Sequence, residues 1–370
     1  MRVLGFMTGT SLDAVDMAVL ETDGEAITAF GPAGERKLTE GVRNLLLETT
    51  HQALKWPRGV PAPVIFAEAA AAVAQEHFEA ADEFLAANGL TWSDLDLVGM
   101  HGQTVLHERP TPERVGRTVQ LGDAQALADR CGVPVAFDFR TADVAAGGEG
   151  APLAPIYHRA RALASGLTLP VAVLNVGGVA NVTLIDGEGD LLAFDTGPGN
   201  GMIDLLLQAH GTGRYDEGGK LAASGWVDED ALQTLFDHPY FAAPPPKSLD
   251  RYDFALDAVA DLSLPDAAAT LVAFTARTVA LGVAQGKQRP TALIVCGGGR
   301  HNPQIMKALA EVVPCDVKAA EDYGWRGDSI EAEAFAYLAA RTAKGLPISF
   351  PGTTGVKAPM TGGRIVTPSA

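Results

Sequence analysis

The chain has 370 residues, of which 47% are hydrophobic and 20% are charged. This length exceeds the roughly 100–200 residues of an ordinary domain, so the sequence predicts two domains. Lys and Arg number 28 against 45 Asp and Glu, and the resulting formal charge of −17 argues against nucleic acid and anionic membranes as partners.

The predicted elements alternate between strands and helices. Strands are expected at 3–7, 12–21, 95–100, 133–139, 170–175, 179–185 and 292–296, and helices at 64–88, 201–210, 266–285 and 330–344. The hairpin at 3–21 and the hairpin at 170–185 have the same order of apolar strand, glycine-bearing turn and alternating strand. The pattern therefore predicts an α/β architecture with two similar halves.

The cysteines and the apolar segments indicate the compartment. Cys131, Cys296 and Cys315 are an odd number without metal-like spacing, which disfavours a disulfide framework and a structural zinc site. The N-terminus has no secretory pattern, and the apolar stretch at 267–282 contains Arg277 and three threonines, so it predicts a buried helix and not a membrane span. We expect a soluble, cytoplasmic protein.

Three glycine-bearing turns are candidates for nucleotide binding. Backbone N–H and side-chain O–H groups at such turns can bind phosphate oxygens, and a carboxylate beside them, here Asp13, can hold a hydrated Mg²⁺. Each turn alone is explained equally well as an ordinary turn, but three together favour a nucleotide. A Walker-type loop at 213–220 fails on Arg214 and Leu221, and no dinucleotide fingerprint follows Gly5. The candidate residues are Gly9, Thr10, Ser11, Leu12, Asp13, Ala14, Val15 and Asp16; Asn175, Gly177, Gly178 and Asn181; and Gly297, Gly298 and Gly299.

Asp195 ends an apolar strand and precedes a tight turn into a helix. An ionised carboxylate at that position can act as a general base, although a helix-capping or turn aspartate is the simpler alternative. The Asp-Thr-Gly of aspartic proteases is a poor explanation, because no second copy occurs and Pro198 follows Gly197.

Polar side chains are dense between residues 101 and 152. Amides, imidazole, carboxylates and a guanidinium near strand ends suit a ligand with many hydroxyl groups, such as a sugar, and Arg140 supplies local positive charge. Each of them taken singly is more often a structural polar group. The candidates are His101, Gln103, Gln120, Arg140 and Asp143.

Six blocks of the sequence resemble the anhydro-N-acetylmuramic acid kinase family, in that family's order and over nearly the whole chain. They are FMTGTSLDAVD at 6–16, HGQTVLH at 101–107, DFR at 138–140 with APL at 151–153, NVGGVAN at 175–181, FDTGPGN at 194–200, and EA with AFA at 331–336.

The resemblance implies an α/β, two-domain actin-like ATPase (ribonuclease H-like) fold with a duplicated core and an interdomain cleft. We expect residues 1–130 with 346–370 to form one domain and 131–345 the other. ATP and Mg²⁺ are the implied cofactor pair, with phosphate hairpins at 9–16 and 175–181 and an adenosine contact at 297–299. The family members also allow a homodimer.

The implied reaction phosphorylates O6 of 1,6-anhydro-N-acetylmuramic acid while water opens the anhydro bridge, giving N-acetylmuramic acid 6-phosphate in cell-wall recycling. Asp195 matches the family's catalytic base, Arg140 and Asp143 match sugar-binding positions, and Glu331 is carried over as a further sugar contact. Thr8 and Ala14 replace the more usual Ser and Gly, and Leu249-Asp250 replaces a more usual Thr-Gly. Two alternatives stay open: a kinase of another anhydro sugar such as levoglucosan, and a non-catalytic ATP-dependent clamp.

Overall fold

The computed structural model describes residues 1–111, 113–249 and 253–369. The chain forms two compact units, Met1–Ala164 with Ser329–Ala370 (the first unit) and Ser165–Asp328 (the second unit). The strands are β1 (Arg2–Met7), β2 (Ala14–Thr22), β3 (Ile27–Lys37), β4 (Leu97–Met100), β5 (Gln103–Glu108), β6 (Arg117–Leu121), β7 (Val135–Phe137), β8 (Val171–Val176), β9 (Val179–Ile185), β10 (Leu191–Pro198), β11 (Ala292–Cys296), β12 (Asp316–Ala319) and β13 (Arg364–Val366). The helices are α1 (Glu40–Leu54), α2 (Ile65–Ala87), α3 (Ala124–Cys131), α4 (Thr141–Ala145), α5 (Pro155–Ala164), α6 (Gly201–Ala209), α7 (Lys220–Ala223), α8 (Glu229–Phe236), α9 (Leu264–Val283), α10 (Pro303–Val312), α11 (Ile330–Ala343) and α12 (Pro351–Thr354).

The main sheet of the first unit has the strand order β13-β7-β4-β1-β2-β3. β1 pairs antiparallel with β2 and β2 with β3, whereas β4 runs parallel to both β1 and β7. The central strands β1 and β4 are apolar and almost wholly buried, as expected for strands covered on both faces. The carboxyl ends of β1 and β4 therefore open at the same edge of the sheet, where the turn at 8–13 and His101 follow them.

Helix α11 lies directly on this sheet because two glycines leave room for its backbone. Gly5 of β1 and Gly99 of β4 are paired neighbours in the ladder. A Cβ on Gly5 would lie 2.0 Å from the carbonyl oxygen of Ala332, and one on Gly99 would lie 2.3 Å from that of Phe335. Any larger residue would push the helix away, and the close packing sets the position of the N-terminal turn of α11.

The sheet of the second unit repeats this topology in the order β10-β9-β8-β11-β12. β8, β9 and β10 are antiparallel neighbours, and β11 runs parallel to both β8 and β12. Helix α9 packs against β10 at Gly197 and Gly282, where an added Cβ would meet Thr278 and Thr196 within 2.6 Å. Read from the other edge, β12-β11-β8-β9-β10 matches β7-β4-β1-β2-β3 strand for strand in order and direction. The duplicated core and the α/β, actin-like fold predicted from the sequence are confirmed.

The unit boundaries differ from the domain boundaries predicted from the sequence. Residues 131–164 and 329–345 were expected in the second domain, but they pack with the first unit. The reason is that β7 pairs with β4 and β13, while α11 covers β1 and β2. Strand β3 was not predicted at all, since Gly31, Pro32 and Gly34 interrupt its pattern. It forms the edge of the sheet, where proline and glycine are tolerated.

Helix α9 is, in the described part of the chain, the one helix long and apolar enough to cross a membrane by length and composition. Its most apolar window is 72% buried inside the protein. Val272, Phe274 and Val279 contribute to the hydrophobic core of the second unit. The burial predicted for this segment is confirmed.

Candidate functional site

The turn between β1 and β2 has three exposed polar residues around one buried leucine. Leu12 has a φ of 55°, which for an L-residue costs about 1–2 kcal/mol, and its buried side chain belongs to the apolar cluster of Leu46 and Phe66. Thr10, Ser11 and Asp13 are exposed around it. The anchored leucine stabilises this backbone and keeps the polar tip pointing outward.

Asp13 is held within the tip by short local bonds. Its Oδ1 accepts hydrogen bonds from the Ser11 hydroxyl at 2.7 Å and from the Ala14 N–H at 3.0 Å. Strand β2 begins at Ala14, and the side chains of Ala14 and Val15 are buried, while Asp16 is partly exposed opposite Met7. Of the predicted phosphate hairpin, Leu12, Ala14 and Val15 therefore have only backbone groups to offer a ligand.

Gln103 supports this turn from beneath. Its Nε2 donates to the carbonyl oxygens of Gly9 at 3.3 Å and of Thr104 at 3.2 Å, and its side chain is buried. Gln120, paired with Thr104 across β5 and β6, donates to the hydroxyls of Thr104 and Thr118. Both glutamines were predicted as sugar contacts, and the bonds of Gln103 additionally connect it to the phosphate hairpin.

The buried His101 forms a pair with the partly buried Arg140. Arg140 Nε donates to His101 Nε2 at 3.0 Å, and because a guanidinium has no acceptor, this imidazole nitrogen must be unprotonated. Burial, reinforced by the Arg140 charge, lowers the pKa of His101 well below its usual range. The imidazole also packs on Phe335 with ring centroids 4.5 Å apart. His101 is therefore a neutral acceptor whose proton sits on Nδ1.

The charge of Arg140 has no acidic partner within ion-pair distance among the described residues. Its Nη1 donates to the carbonyl oxygen of Gly150 at 2.8 Å, so both of its bonds go to neutral acceptors. Burial lowers the pKa of Arg140 to about 10, an effect opposed by Glu331 and Asp143, so the group stays charged at neutral pH. A partly buried cation without an ion-pair partner is costly, and this one is suited to an anionic ligand.

Glu331 lies in the first turn of α11 and is exposed to solvent. The protein atoms around it nevertheless raise the pKa of its carboxyl group, and Arg140 opposes that rise. The two groups influence each other electrostatically without forming an ion pair.

Asp143, by contrast, is committed to the protein. Its Oδ1 accepts the Gly150 N–H at 2.7 Å, its Oδ2 accepts the Thr354 hydroxyl at 2.5 Å, and the residue is buried. A Cβ on Gly148 would come within 2.2 Å of Oδ1. The carboxylate thus shapes the 148–150 loop, in which the Gly150 carbonyl oxygen accepts from Arg140.

In the second unit, three predicted residues lie side by side on neighbouring strands. Asn175 of β8 is paired with Asn181 of β9, and Asn181 with Asp195 of β10. A register shift follows Asp195, between it and Gly197. All three side chains are partly exposed at the end of the sheet where the 177–178 turn begins.

The segment 240–249 holds Asp195 in place, a contact that no predicted motif anticipated. Asp195 Oδ2 accepts the Leu249 N–H at 2.8 Å, its N–H donates to the Lys247 carbonyl oxygen at 3.0 Å, and the Tyr240 hydroxyl donates to its carbonyl oxygen. Lys247 Nζ in turn donates to the Tyr240 carbonyl oxygen and lies over that ring, and burial lowers its pKa. Only the proline-rich bend at 244–246 could have suggested that this segment folds back. Of the two residues that replace the family's more usual Thr-Gly, the structure describes Leu249, while Asp250 lies outside the described residues.

The second turn, Gly177-Gly178, is fastened to the start of α6. The carbonyl oxygen of Gly178 accepts from the N–H groups of Gly199 and Gly201 at 3.0 Å each, and that of Gly177 accepts from Asn200 at 2.7 Å. A Cβ on Gly199 would lie 2.3 Å from the Gly177 carbonyl oxygen. These contacts explain the glycines of the 194–200 block by close backbone approach.

The third turn presses against the end of β8. Gly297 has a φ of 74°, and a Cβ there would lie 2.1 Å from Asn175 Oδ1, while one on Gly299 would lie 2.3 Å from the Val176 side chain. Gly298 is exposed, and a Cβ there would meet no atom within 4 Å. The turn therefore offers one open backbone face at Gly298.

In the described ranges, no three His, Cys, Asp or Glu side chains lie together as a metal site.

Comparison with known proteins finds one family whose members match this chain over nearly its whole length. Residues 1–368 match the family model described as anhydro-N-acetylmuramic acid kinase. A relative of that name from Caulobacter vibrioides is 74% identical over 99% of both chains, and one from Phenylobacterium zucineum is 70% identical over 100% of both. Component A of (R)-2-hydroxyglutaryl-CoA dehydratase from Acidaminococcus fermentans superposes with a TM-score of 0.47 at 13% identity, covering 93% of this chain and 99% of that one.

Proposed function

The chain belongs to the anhydro-N-acetylmuramic acid kinase family, and we propose that it transfers the γ-phosphoryl group of ATP to O6 of 1,6-anhydro-N-acetylmuramic acid while water opens the anhydro bridge. The product is N-acetylmuramic acid 6-phosphate, and the reaction serves cell-wall recycling in the cytoplasm. The relatives' names and the family match support the substrate, and the chemistry of the residues described above supports the roles assigned below.

The observation that carries the sugar assignment is that the charged Arg140 side chain donates only to neutral acceptors. This sugar differs from neutral anhydro sugars by a lactyl carboxylate, and a guanidinium held only by neutral acceptors retains attraction for such a group. The attraction matters because the formal charge of the chain is −17, which opposes the approach of any anion. Glu331 is a complementary acceptor for sugar hydroxyl or amide N–H groups.

Asp195 is assigned the role of general base. It removes a proton from water as the water oxygen bonds to C1; the C1–O6 bond breaks, O6 bonds to the γ-phosphorus, and ADP leaves. The Leu249 N–H and the backbone bonds to Lys247 and Tyr240 hold the carboxylate in one orientation, which a base needs more than a shifted pKa.

The nucleotide is assigned to the three turns. Thr10 and Ser11 present hydroxyl groups, the 177–178 turn presents backbone, and the open face at Gly298 suits close approach of adenosine. Mg²⁺ in proteins takes one or two carboxylates together with phosphate oxygens and water, and Asp13 supplies an exposed carboxylate of that kind. When bound, the ion neutralises phosphate charge during transfer.

A coupled assay of ADP release tests the proposal. The pure protein is incubated with ATP, Mg²⁺ and either 1,6-anhydro-N-acetylmuramic acid or levoglucosan, which lacks the lactyl and acetamido groups. We expect sugar-dependent ADP release that strongly favours the first sugar. ADP release that is the same with and without sugar would contradict a kinase, and a preference for levoglucosan would contradict the substrate.

A further inference from the structure

A guanidinium lies inside the protein directly behind the triple-glycine turn. Only 2% of the Arg300 side chain is accessible to solvent. Its Nη1 donates to the carbonyl oxygen of Gly297 at 2.9 Å, which is the first residue of that turn. The backbone N–H of Arg300 also points to this oxygen, at 3.3 Å.

Two carboxylates complete the bonding of this guanidinium. Arg300 Nε donates to both oxygens of Glu321 at 2.9 and 3.1 Å, and Nη2 donates to Asp328 Oδ2 at 2.8 Å. The bond from Arg300 lowers the pKa of Asp328. Both carboxylates are accessible, at 49% and 74%, so they cover the buried cation on its solvent side.

The surrounding backbone is built around this side chain. Gly327 donates its N–H to Glu321 Oε1 at 3.3 Å, and a Cβ on Gly327 would lie 2.5 Å from Arg300 Nε. On the other side, Gly297 is pressed against Asn175 with a left-handed φ of 74°. The turn is thus fixed between the end of β8 and Arg300, and only Gly298 faces open space.

We propose that Arg300 is a positioning residue for the nucleotide: by holding the Gly297 carbonyl oxygen, it fixes the conformation in which the 297–299 turn receives adenosine. This inference rests on the proposed function, in which that turn contacts ATP. A guanidinium suits the task because its planar donors serve one carbonyl and two carboxylates at once, which the single ammonium of a lysine cannot do in the same geometry. Without it, Glu321 and Asp328 would face each other and add negative charge beside a nucleotide site.

Steady-state kinetics of Arg300→Gln and Arg300→Lys test the proposal. Arg277 provides the matched control, because it also binds a carboxylate with two nitrogens, Glu229 at 2.8 and 2.7 Å, in the same unit but on the surface. We expect Arg300→Gln to raise the KM for ATP and the Kd for ADP by about tenfold or more, the scale of a lost bond to a charged group, with the KM for the sugar changed less than twofold. Arg300→Lys should lie between it and the wild type, and Arg277→Gln should change none of these constants.

The ADP measurement uses no sugar, so it separates this inference from the proposed function. Wild-type protein without sugar-dependent ADP release contradicts the function, whereas equal ADP affinity in wild type and Arg300→Gln contradicts the role of Arg300. A lower Tm with an unchanged ATP KM would show that Arg300 is merely structural. If Arg300→Gln does not fold, Glu321→Gln, which keeps the bonds to Asp328 and Gly297, is expected to raise the ATP KM by a smaller factor, and an unchanged KM there overturns the proposal.

Discussion

Replacing Arg140 by Met should remove selectivity for the lactyl carboxylate. The change deletes a charge that has no acidic partner within ion-pair distance among the described residues, while keeping an unbranched side chain beside Phe335. It also leaves His101 Nε2 and the Gly150 carbonyl oxygen without their donor. The effect of the lost charge must be separated from the effect of the two orphaned acceptors, because the orphaned acceptors lower activity through local disorder alone.

The expected size follows from the bonds. A hydrogen bond to a charged group contributes about 1.5–3 kcal/mol, which corresponds to roughly 10- to 150-fold in kcat/KM. The orphaned acceptors add a structural cost of about 1–3 kcal/mol, which applies to every substrate alike. Selectivity between two sugars, taken as a ratio, therefore reports the carboxylate contact and cancels the structural cost.

The assay compares 1,6-anhydro-N-acetylmuramic acid with 1,6-anhydro-N-acetylglucosamine, which lacks only the lactyl ether. We expect the ratio of their kcat/KM values to fall by roughly 10- to 150-fold in Arg140→Met. Arg140→Lys, which keeps the charge, should retain part of the ratio. A ratio within twofold of the wild type in Arg140→Met would refute the assignment of the carboxylate to Arg140.

Four further substitutions test the proposed base, the triple-glycine turn and the pH dependence of stability. Asp195→Asn keeps an oxygen for the Leu249 N–H, so we expect an unchanged Tm and ADP affinity but turnover lower by roughly 10²-fold or more; near-normal turnover would remove Asp195 as the base. Gly298→Leu should raise the KM for ATP about tenfold at an unchanged Tm, because its Cβ meets no protein atom, whereas Gly297→Ala should lower the Tm; equal effects on Tm would contradict this difference. Burial lowers the pKa of His77 to about 4. Between pH 6.5 and pH 4 the unfolded chain therefore binds more protons than the folded one, so the free energy of unfolding falls as the pH falls through that window. The loss is about 2 kcal/mol at pH 5. Urea unfolding at pH 7 and pH 5 should therefore show a smaller loss in His77→Leu than in the wild type, and equal losses would contradict it.

The elements with strong periodicity were predicted closely from the sequence. Strands β9 and β11 have the predicted bounds, and α6 and α11 differ by one residue at their ends. Their apolar patterns are local, and so are the glycine turns that end them. The repeated hairpin was enough to predict the duplicated core, because hairpin order is itself a local property of the chain.

Contacts between distant segments could not be predicted in the same way. Asp143 contacts Thr354, Gln103 contacts Gly9, and Asp195 is held by residues 240–249, and none of these pairs is near in sequence. The sequence alone does not distinguish the polar side chains of a dense block that hydrogen-bond within the protein from those that remain available to a ligand. The unit boundary differs from the predicted boundary at residue 130 for the same reason, since the pairing of β7 with β4 and β13 joins segments that are distant in sequence.

The reaction in water enriched in ¹⁸O tests the proposed chemistry most directly. Water attack at C1 with release of O6 to the phosphoryl group predicts a ring-opened sugar phosphate that carries one labelled oxygen, at C1, and an unlabelled phosphoryl group, detectable by mass spectrometry and ¹³C NMR. A phosphorylated product that still contains the anhydro bridge, or label found in the phosphate and not at C1, would contradict the account.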